Sequence, residues 1–191
     1  EALDLAKKTS YVNFDASVEI HLRMGADPKH ADQQVRGVAL LPHGLGKDVR
    51  VLVFAQGEDV RAAESAGADF IGDDETIKRI EGGWVGFDVA IATQEMMGKV
   101  GRLGRVLGRR GLMPNPRSGT GVQGVDLPRA IDEDRKGRVE FRLDRSGVIH
   151  SVVGKVSFET EKLRENLATL MEAIMAARPS TVKGQFVRTV A

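Results

Sequence analysis

The stretch VNFDASVEIHLRM, residues 12–24, decides the fold of this chain. Its even-numbered positions are apolar and its odd-numbered positions are polar, and such alternation is typical of a strand with one buried and one solvated face. Strands of this kind belong to antiparallel or mixed sheets. Asp27 and Pro28 follow and break the pattern. We therefore predict one strand, or two strands joined by a bend, over 12–24.

The one-sided pattern returns after Gly137, where apolar and polar residues alternate again. The sequence DRSG at 144–147 predicts a turn, so we expect 139–143 and 148–153 to form a hairpin. The predicted elements of the two ends are helices over 1–10, 29–34 and 163–177 and strands over 12–24, 35–41, 139–143, 148–153 and 181–190. Joined together, they predict a sheet of about four strands covered by a helix.

The middle of the chain follows a different pattern, in which short continuous apolar runs alternate with helical segments. Runs of this kind are typical of strands in a parallel, Rossmann-like sheet with both faces covered. The predicted elements are strands over 49–54, 69–71 and 89–92 and helices over 59–66, 75–80, 94–107 and 127–136. The fold class predicted from both patterns is α/β (α+β).

The two patterns also predict how the chain is divided into domains. Neither end has enough elements for a core of its own, so we expect 1–45 plus 137–191 to form one split domain and 46–136 to be inserted into it. The two crossings contain glycines, which suit a hinge because they tolerate unusual backbone angles. The predicted hinge residues are Gly44, Gly46 and Gly137.

Composition excludes several classes of protein. The 191 residues are 41% apolar and 29% charged and carry a net charge of only +1, which is typical of a globular protein. Without cysteine there is no disulfide, thiolate nucleophile or cysteine zinc site. No apolar run reaches the ~20 residues that span a bilayer, and no signal peptide is recognisable. Because the chain opens at Glu1 inside a helical pattern, we expect its start to be trimmed.

The sequence offers little for enzyme or cofactor chemistry. HGLGK at 43–47 lacks the spacing of a phosphate-binding loop, and AQGED at 55–59 has one glycine and two acids where a dinucleotide fingerprint needs three glycines. Asp73 is interpreted as a helix cap followed by acids rather than as a metal ligand. We predict no enzyme, no cofactor and no metal site. A cofactor-dependent α/β enzyme and a protein-only interaction module stay open as alternatives.

The segment 96–125 contains no acid, whereas 48–95 holds eleven acids against four bases. The segment 96–125 is interpreted in one of two ways. It is either a solvated basic face or an anion-binding surface, on which glycine lets the anion approach the backbone and arginine binds the anion in a bidentate way. Five glycines, at positions 98, 101, 104, 108 and 111, interrupt it. Its basic residues, as candidate secondary RNA contacts, are Lys99, Arg102, Arg105, Arg109, Arg110 and Arg117.

GLMPNP at 111–116 follows GRLGRVLGRR, and VRGVALLPHGLGK, AGADFIG and Gly-Gly-Trp occur earlier in the chain. Together these motifs resemble the L-one family of ribosomal proteins, from Leu3 to Val190. The resemblance implies an outer α/β sandwich domain and an inserted Rossmann-like domain. It also implies a structural constituent of the large ribosomal subunit that binds large-subunit rRNA at the mobile side stalk.

The resemblance implies further partners. These are exit-site tRNA, whose release the protein would assist, the leader of its own mRNA, whose translation it would repress, and other ribosomal components. The protein would be cytoplasmic, on ribosomes, away from membranes, and monomeric when free.

The resemblance also implies where RNA binds. In the family the position matching Phe14 and the turn matching 144–146 lie at the RNA surface, although the parity of Phe14 with Ile20 favours a core position instead. Hydrogen bonds from small polar groups to 2′-hydroxyls and phosphates can recognise RNA shape without high net charge. The candidate RNA-binding residues are Asn13, Phe14, His21, Arg23, Arg36, Asp144, Arg145, Ser146, Lys155 and Arg188.

The sequence departs from the family pattern at three places, and the first and third predict weaker RNA binding. Asn13 stands where the family usually has Lys, which removes one phosphate contact. Arg109 stands where the family has Pro. The Thr-Met-Gly stretch of the family's RNA surface would follow Ala191.

Overall fold

The computed structural model describes residues 1–191, except for the side chain of Arg117. Two compact units are present: unit 1 consists of Glu1–Lys47 and Lys136–Ala191, and unit 2 of Asp48–Arg135. The division into two domains, 1–45 plus 137–191 and 46–136, stays a prediction.

Helices and strands alternate in an order typical of mixed α/β proteins. The helices are α1 (Ala2–Thr9), α2 (Glu58–Ser65), α3 (Asp74–Glu81), α4 (Met97–Val100), α5 (Gly104–Leu107), α6 (Leu127–Arg135) and α7 (Thr160–Ala176). The strands are β1 (Ser17–Met24), β2 (Arg36–Leu40), β3 (Val51–Phe54), β4 (Phe70–Ile71), β5 (Val89–Thr93), β6 (Gly121–Val122), β7 (Arg138–Arg142), β8 (Val148–Lys155) and β9 (Val187–Val190). Single 3₁₀ turns cover Ala31–Gln33, Gln94–Met96, Gly101–Leu103, Gly108–Arg110, Pro116–Ser118 and Gly124–Asp126.

Unit 1 contains two antiparallel sheets, one ordered β8-β1-β9 and one formed by β2 and β7. Alternate residues of β1 enter the core, which buries Ile20, Leu22 and Met24. They pack in one cluster with residues of β2, β7 and β8 and with Leu163 and Leu170 of α7. Each such side chain contributes about 1.5–3 kcal/mol on burial, so the apolar half of the alternating pattern holds this unit together.

A buried amide joins three parts of unit 1. Asn166 of α7 is fully buried, and its Oδ1 accepts a hydrogen bond of 3.0 Å from the backbone N–H of His43. Its Nδ2 donates to the carbonyl oxygens of Gly44 at 3.0 Å and of Val153 at 2.8 Å. Since a buried polar group is costly unless it is hydrogen-bonded, the amide fixes the loop after β2 and strand β8 to the helix.

Unit 2 is a parallel sheet ordered β4-β3-β5-β6 with helices on both faces. Successive residues of β3 point to opposite sides, so Leu52 and Phe54 join one core while Val51 and Val53 join the other. The first core is closed by α3 and the turns from 94 to 110, and the second by α2 and α6. This arrangement explains why the strand sequence is continuously apolar.

The structure confirms the mixed α/β fold class and most of the predicted elements. Confirmed strands are those predicted over 35–41, 49–54, 69–71, 89–92, 139–143 and 148–153. Confirmed helices are those predicted over 1–10, 59–66, 75–80, 127–136 and 163–177. Asp73 caps α3 as predicted, since its carboxylate accepts from the N–H of Thr76 at 2.7 Å.

Several predicted boundaries were wrong. The helix predicted over 29–34 is a single 3₁₀ turn, and the helix predicted over 94–107 breaks into short α and 3₁₀ turns at its glycines. The final strand covers only Val187–Val190, because Arg178 donates to the carbonyl oxygens of Val182 and Gly184 and holds that segment in a turn. The two-residue strand β6 was missed because it is too short to show a pattern.

The predicted four-stranded sheet was wrong, and the predicted hairpin is present only at its turn. β7 pairs with β2 and β8 pairs with β1, while the antiparallel bridge between Leu143 and Ile149 and the hydrogen bond from Asp144 N–H to the Val148 carbonyl oxygen join β7 and β8 at the turn. The strands diverge beyond this bridge and enter different sheets. Consequently the two arms of the predicted hairpin belong to different sheets of unit 1.

We expect replacement of Asn166 by Ala to lower the free energy of unfolding by about 2–4 kcal/mol, because one buried and two half-buried backbone groups lose their partner. Urea unfolding at neutral pH measures this. Glu172→Ala, at an exposed position of the same helix, is the matched control and should change stability by no more than about 0.5 kcal/mol. Equal stabilities of the two variants would contradict the structural role of the amide.

Candidate nucleic-acid interface

The outward face of the β8-β1-β9 sheet is polar along β1. Because Ile20 and Leu22 point into the core, Glu19, His21 and Arg23 point outward from β1. Strand β8 continues this face, since its burial alternates in the same way. At about 3.3 Å per residue, β1 makes the face about 25 Å long, which is enough for several nucleotides.

One end of the face carries a loop with two exposed aromatic rings. Phe14 is 71% exposed and Tyr11 94% exposed. Both lie outside β1, which begins only at Ser17. The strand predicted over 12–24 is therefore confirmed from residue 17 onward, whereas the core position for Phe14 was wrong. Asn13 is also exposed. The sequence pattern could not identify Tyr11, since it precedes the alternating stretch.

Asp15 explains why the strand begins late. Its carboxylate accepts from the backbone N–H of Ser157 at 3.0 Å and from the Ser157 hydroxyl at 2.8 Å. The hydroxyl bond is the main reason that the pKa of Asp15 is lowered. Lys155 donates to the carbonyl oxygen of Asp15 at 3.3 Å and to the hydroxyl of Ser17 at 3.1 Å. These bonds bend the chain out of the sheet and hold the loop that carries Phe14.

The predicted turn closes the other end of the face. Asp144 accepts from the N–H and the hydroxyl of Ser146, at 2.9 and 2.6 Å, and from the N–H of Val148 at 2.8 Å. The Ser146 hydroxyl, followed by the Val148 N–H, lowers the pKa of Asp144 to about 2. Arg145 at the tip is exposed. The ionised carboxylate of Asp144 therefore holds the turn in one conformation, with Arg145 exposed at its tip.

The remaining candidate residues fall on different surfaces. Arg188 is exposed on β9, and Arg23 is exposed on β1 opposite Thr189. Arg36 lies instead on the β2–β7 sheet, where it donates to Glu140 at 2.7 and 2.6 Å. The structure thus brings His21, Arg23, Lys155 and Arg188 to one sheet and places Arg36 on the other.

The basic segment lies in unit 2, with its apolar residues inward. Val100, Leu103 and Leu107 are buried against the parallel sheet. The basic side chains that the structure describes are exposed: Lys99, Arg102, Arg105, Arg109 and Arg110. Lys99 is paired with Asp74 at 3.6 Å. Arg117 was also predicted to contact RNA, but its side chain lies outside the described residues.

Three glycines of the segment have no conformational need for glycine. Gly101, Gly104 and Gly108 have ordinary helical angles, and a Cβ added to any of them would meet nothing within 4 Å. Glycine in a helix costs about 1 kcal/mol relative to alanine. No side chain covers the backbone at these three positions, of which Gly101 and Gly108 are exposed and Gly104 is half-buried.

The predicted hinge glycines differ from these. Gly44, Gly46 and Gly137 have φ values of 66°, 67° and 109°, which favour glycine. A Cβ on Gly137 would lie 2.4 Å from the Cα of Gly44. The positive φ values and the close approach of Gly137 to Gly44 explain why glycine occupies these positions. A hinge role for the three residues stays a prediction.

A cavity of about 460 Å³ lies at the carboxyl ends of β3 and β4, where parallel sheets often bind ligands. Its polar lining includes Glu64, Asp73, Asp74 and Lys99. Three acids against one base disfavour a phosphate, and within the described residues no group of three His, Asp or Glu is placed to hold a metal.

None of the described helices is long and apolar enough to cross a membrane.

We expect the Asp144 carboxyl to titrate near pH 2, well below the ordinary value of about 3.9. Because the pKa is lowered in the folded state, the turn contributes stability that is present above about pH 4 and is lost as the pH falls toward 2. Carboxyl ¹³C NMR measures the midpoint. Ser146→Ala removes the largest cause and should raise it, whereas a midpoint near 4 in both proteins would contradict this account.

Comparison with known proteins relates the whole chain to one family. The model of the ribosomal protein L1p/L10e family matches residues 6–191. The chain is 61% identical over 189 residues to the large ribosomal subunit protein uL1 of Dehalococcoides mccartyi strain CBDB1, covering 99% of this chain and 80% of that one. It is 60% identical over 191 residues to the protein of the same name from Chloroflexus aggregans, covering 100% and 81%.

These matches extend over nearly the full length of the chain, and they confirm the resemblance that the motifs GRLGRVLGRR and GLMPNP indicate. The chain belongs to the ribosomal protein L1p/L10e family.

Proposed function

We propose that this protein binds large-subunit rRNA at the mobile side stalk through the outward face of the β8-β1-β9 sheet and the loops at its two ends. As a member of its family, it is a structural, non-enzymatic constituent of the large ribosomal subunit. It works on ribosomes in the cytoplasm. The observation that carries the proposal is the exposed ring of Phe14, which precedes the hydrogen-bonded Asp15 in the loop at one end of this face.

The chemistry of this face suits a structured RNA. Exposed aromatic rings can stack on unpaired bases or pack on riboses, with about 1–3 kcal/mol per stacked base. Hydroxyl, imidazole and guanidinium groups along the strands can bond 2′-hydroxyls and phosphates. Because the loop and the turn are fixed by Asp15 and Asp144, little conformational freedom is lost on binding.

The finer activities follow from the family resemblance. We propose that the same face binds the leader of the protein's own mRNA and so represses its translation, since two RNAs of similar shape would compete for it. Assistance in the release of exit-site tRNA is proposed for the ribosome-bound protein. Other ribosomal components are further partners, and the free protein is proposed to be a monomer.

The basic segment is proposed as a secondary RNA contact. Its exposed arginines can pair with phosphates in a bidentate way, and its bare glycines allow a sugar-phosphate backbone to approach closely. Contacts of this kind add affinity and steering but little sequence preference. Gly44, Gly46 and Gly137 are proposed to act as a hinge between the RNA-binding sheet face and the basic segment.

We expect Phe14→Ala to weaken binding to large-subunit rRNA by about tenfold or more, because a stacking contact is removed. Filter binding at low and moderate salt, with unrelated structured RNA as competitor, measures the affinity. The melting temperature should not change, since the ring is exposed. Met175→Ala, at a half-exposed apolar position of α7, is the matched control and should bind as the unchanged protein does.

Two results would contradict this assignment. One is equal rRNA affinity of the unchanged protein and Phe14→Ala. The other is binding that falls steeply with salt and is lost to any competitor RNA, which would mean that only the basic segment acts.

We expect alanine at Gly101, Gly104 and Gly108 to raise stability by about 0.5–1 kcal/mol per position, because the angles are helical and the space is open. The same triple variant should bind rRNA more weakly, since methyl groups keep the RNA backbone away. Thermal unfolding and filter binding measure the two effects. Gly137→Ala is the opposite control and should destabilise through its clash with Gly44. Unchanged RNA affinity of the triple variant would exclude close approach at these glycines.

A further inference from the structure

Two histidines face each other at the centre of the proposed RNA-binding face. His21 of β1 and His150 of β8 are directly opposite in the strand register. Their Nδ1 atoms are 2.8 Å apart, and their rings meet edge to face with centroids separated by 4.9 Å. Sequence analysis identified His21 but not His150. No signal in the sequence pointed to His150, because polar Ser151 occupies the buried position next to it and interrupts the alternation.

The short contact restricts how this pair can hold protons. Two imidazole nitrogens can form a hydrogen bond only if one donates and the other accepts. When both rings are neutral, they must therefore be opposite tautomers. One added proton converts one ring to imidazolium and keeps the bond. A second proton would set two N–H groups against each other and break the contact.

Carboxylates lie next to the outer nitrogens of the pair. His21 Nε2 is 3.9 Å from an oxygen of Glu19, and His150 Nε2 is 3.5 Å from an oxygen of Asp144. The bonds from Ser146 and Val148 keep Asp144 ionised throughout the neutral range. With one added proton, both Nε2 atoms carry hydrogen and face these oxygens. The carboxylates of Glu19 and Asp144 therefore favour the form of the histidine pair that carries one added proton.

The other groups around the pair do not compete for that proton. On β1, Arg23 lies two residues beyond His21 on the same face. On β8, the neighbours of His150 on this face are Val148 and Val152. Strand β9 brings Thr189 opposite Arg23, and the backbone of Ala191 is hydrogen-bonded to that of His21. Exposed Arg145 of the turn and exposed Arg188 of β9 add positive charge to the same sheet. Among the described contacts of the two rings, the acids are Glu19 and Asp144.

We propose that binding of RNA phosphate to this face is coupled to the uptake of one proton shared by His21 and His150. The face presents the carboxylates of Glu19 and Asp144, which repel phosphate. The added positive charge on the pair offsets these carboxylates and so lowers the repulsion of phosphate at the centre of the face. The imidazole is suited to this because its charge changes between about pH 5 and 8. This inference rests on the proposed function, and it names how the same site is regulated.

Affinity for large-subunit rRNA should rise as the pH falls from 8 to 6, by about tenfold in all, and by no more than tenfold per pH unit because one proton is involved. His21→Gln and His150→Gln should each remove this pH dependence, and the double variant should behave like either single one. His30→Gln is the matched control. His30 is an exposed histidine of the same unit, with an Asp27 oxygen 3.9 Å from its Nε2, and its replacement should leave the pH dependence intact.

Imidazole NMR of the free protein provides a readout that does not depend on RNA. The signals of His21 and His150 should shift together over one pH range as a single proton enters, and in His150→Gln the transition of His21 should change. Independent titration of the two rings would overturn the shared proton. Binding of rRNA with the same affinity at pH 8 and pH 6 would overturn the coupling alone. Failure to bind rRNA at every pH would overturn the proposed function and the coupling with it.

Discussion

The three hydrogen bonds of the Asn166 amide are the constraint on which unit 1 depends. They connect the loop after β2, strand β8 and helix α7 at a point where water is excluded. Apolar burial supplies stabilisation that is not directional. A buried amide requires a specific position for each partner. It thereby sets the place of β8, and through the pairing of β8 with β1 it sets the face on which the proposed RNA contacts lie.

The two units expose different kinds of charged surface. On unit 1 the polar face is nearly balanced and rigid, with carboxylates that support a loop and a turn. On unit 2 the described part of the basic segment, from Lys99 to Arg110, is exposed and has no acid of its own. A balanced face favours recognition by shape and geometry, whereas a one-signed surface attracts any polyanion. Specificity and general attraction would therefore reside in separate parts of the chain.

Much of this organisation could be predicted from sequence, because hydrophobic patterns report burial. Alternation identified β1, and continuous apolar runs identified β3 and β5. The sequence-based predictions were wrong where a single polar contact determines the backbone conformation. The side chain of Asp15 ends the strand before Phe14, and Arg178 keeps 182–184 out of the last strand. The pairing of His21 with His150 joins residues 129 positions apart, and a pattern within one segment contains no information about strand partners.

The contact between Gly44 and Gly137 has a consequence for the energetics of the whole chain. Because these residues touch, everything between them is a closed loop as far as unit 1 is concerned. A disordered loop of that length would oppose closure by about 4 kcal/mol of chain entropy, from the logarithmic dependence on length. A folded unit 2 removes most of this penalty, since its own core restricts the chain. Unit 1 is therefore stabilised by the folding of unit 2 through chain connectivity alone.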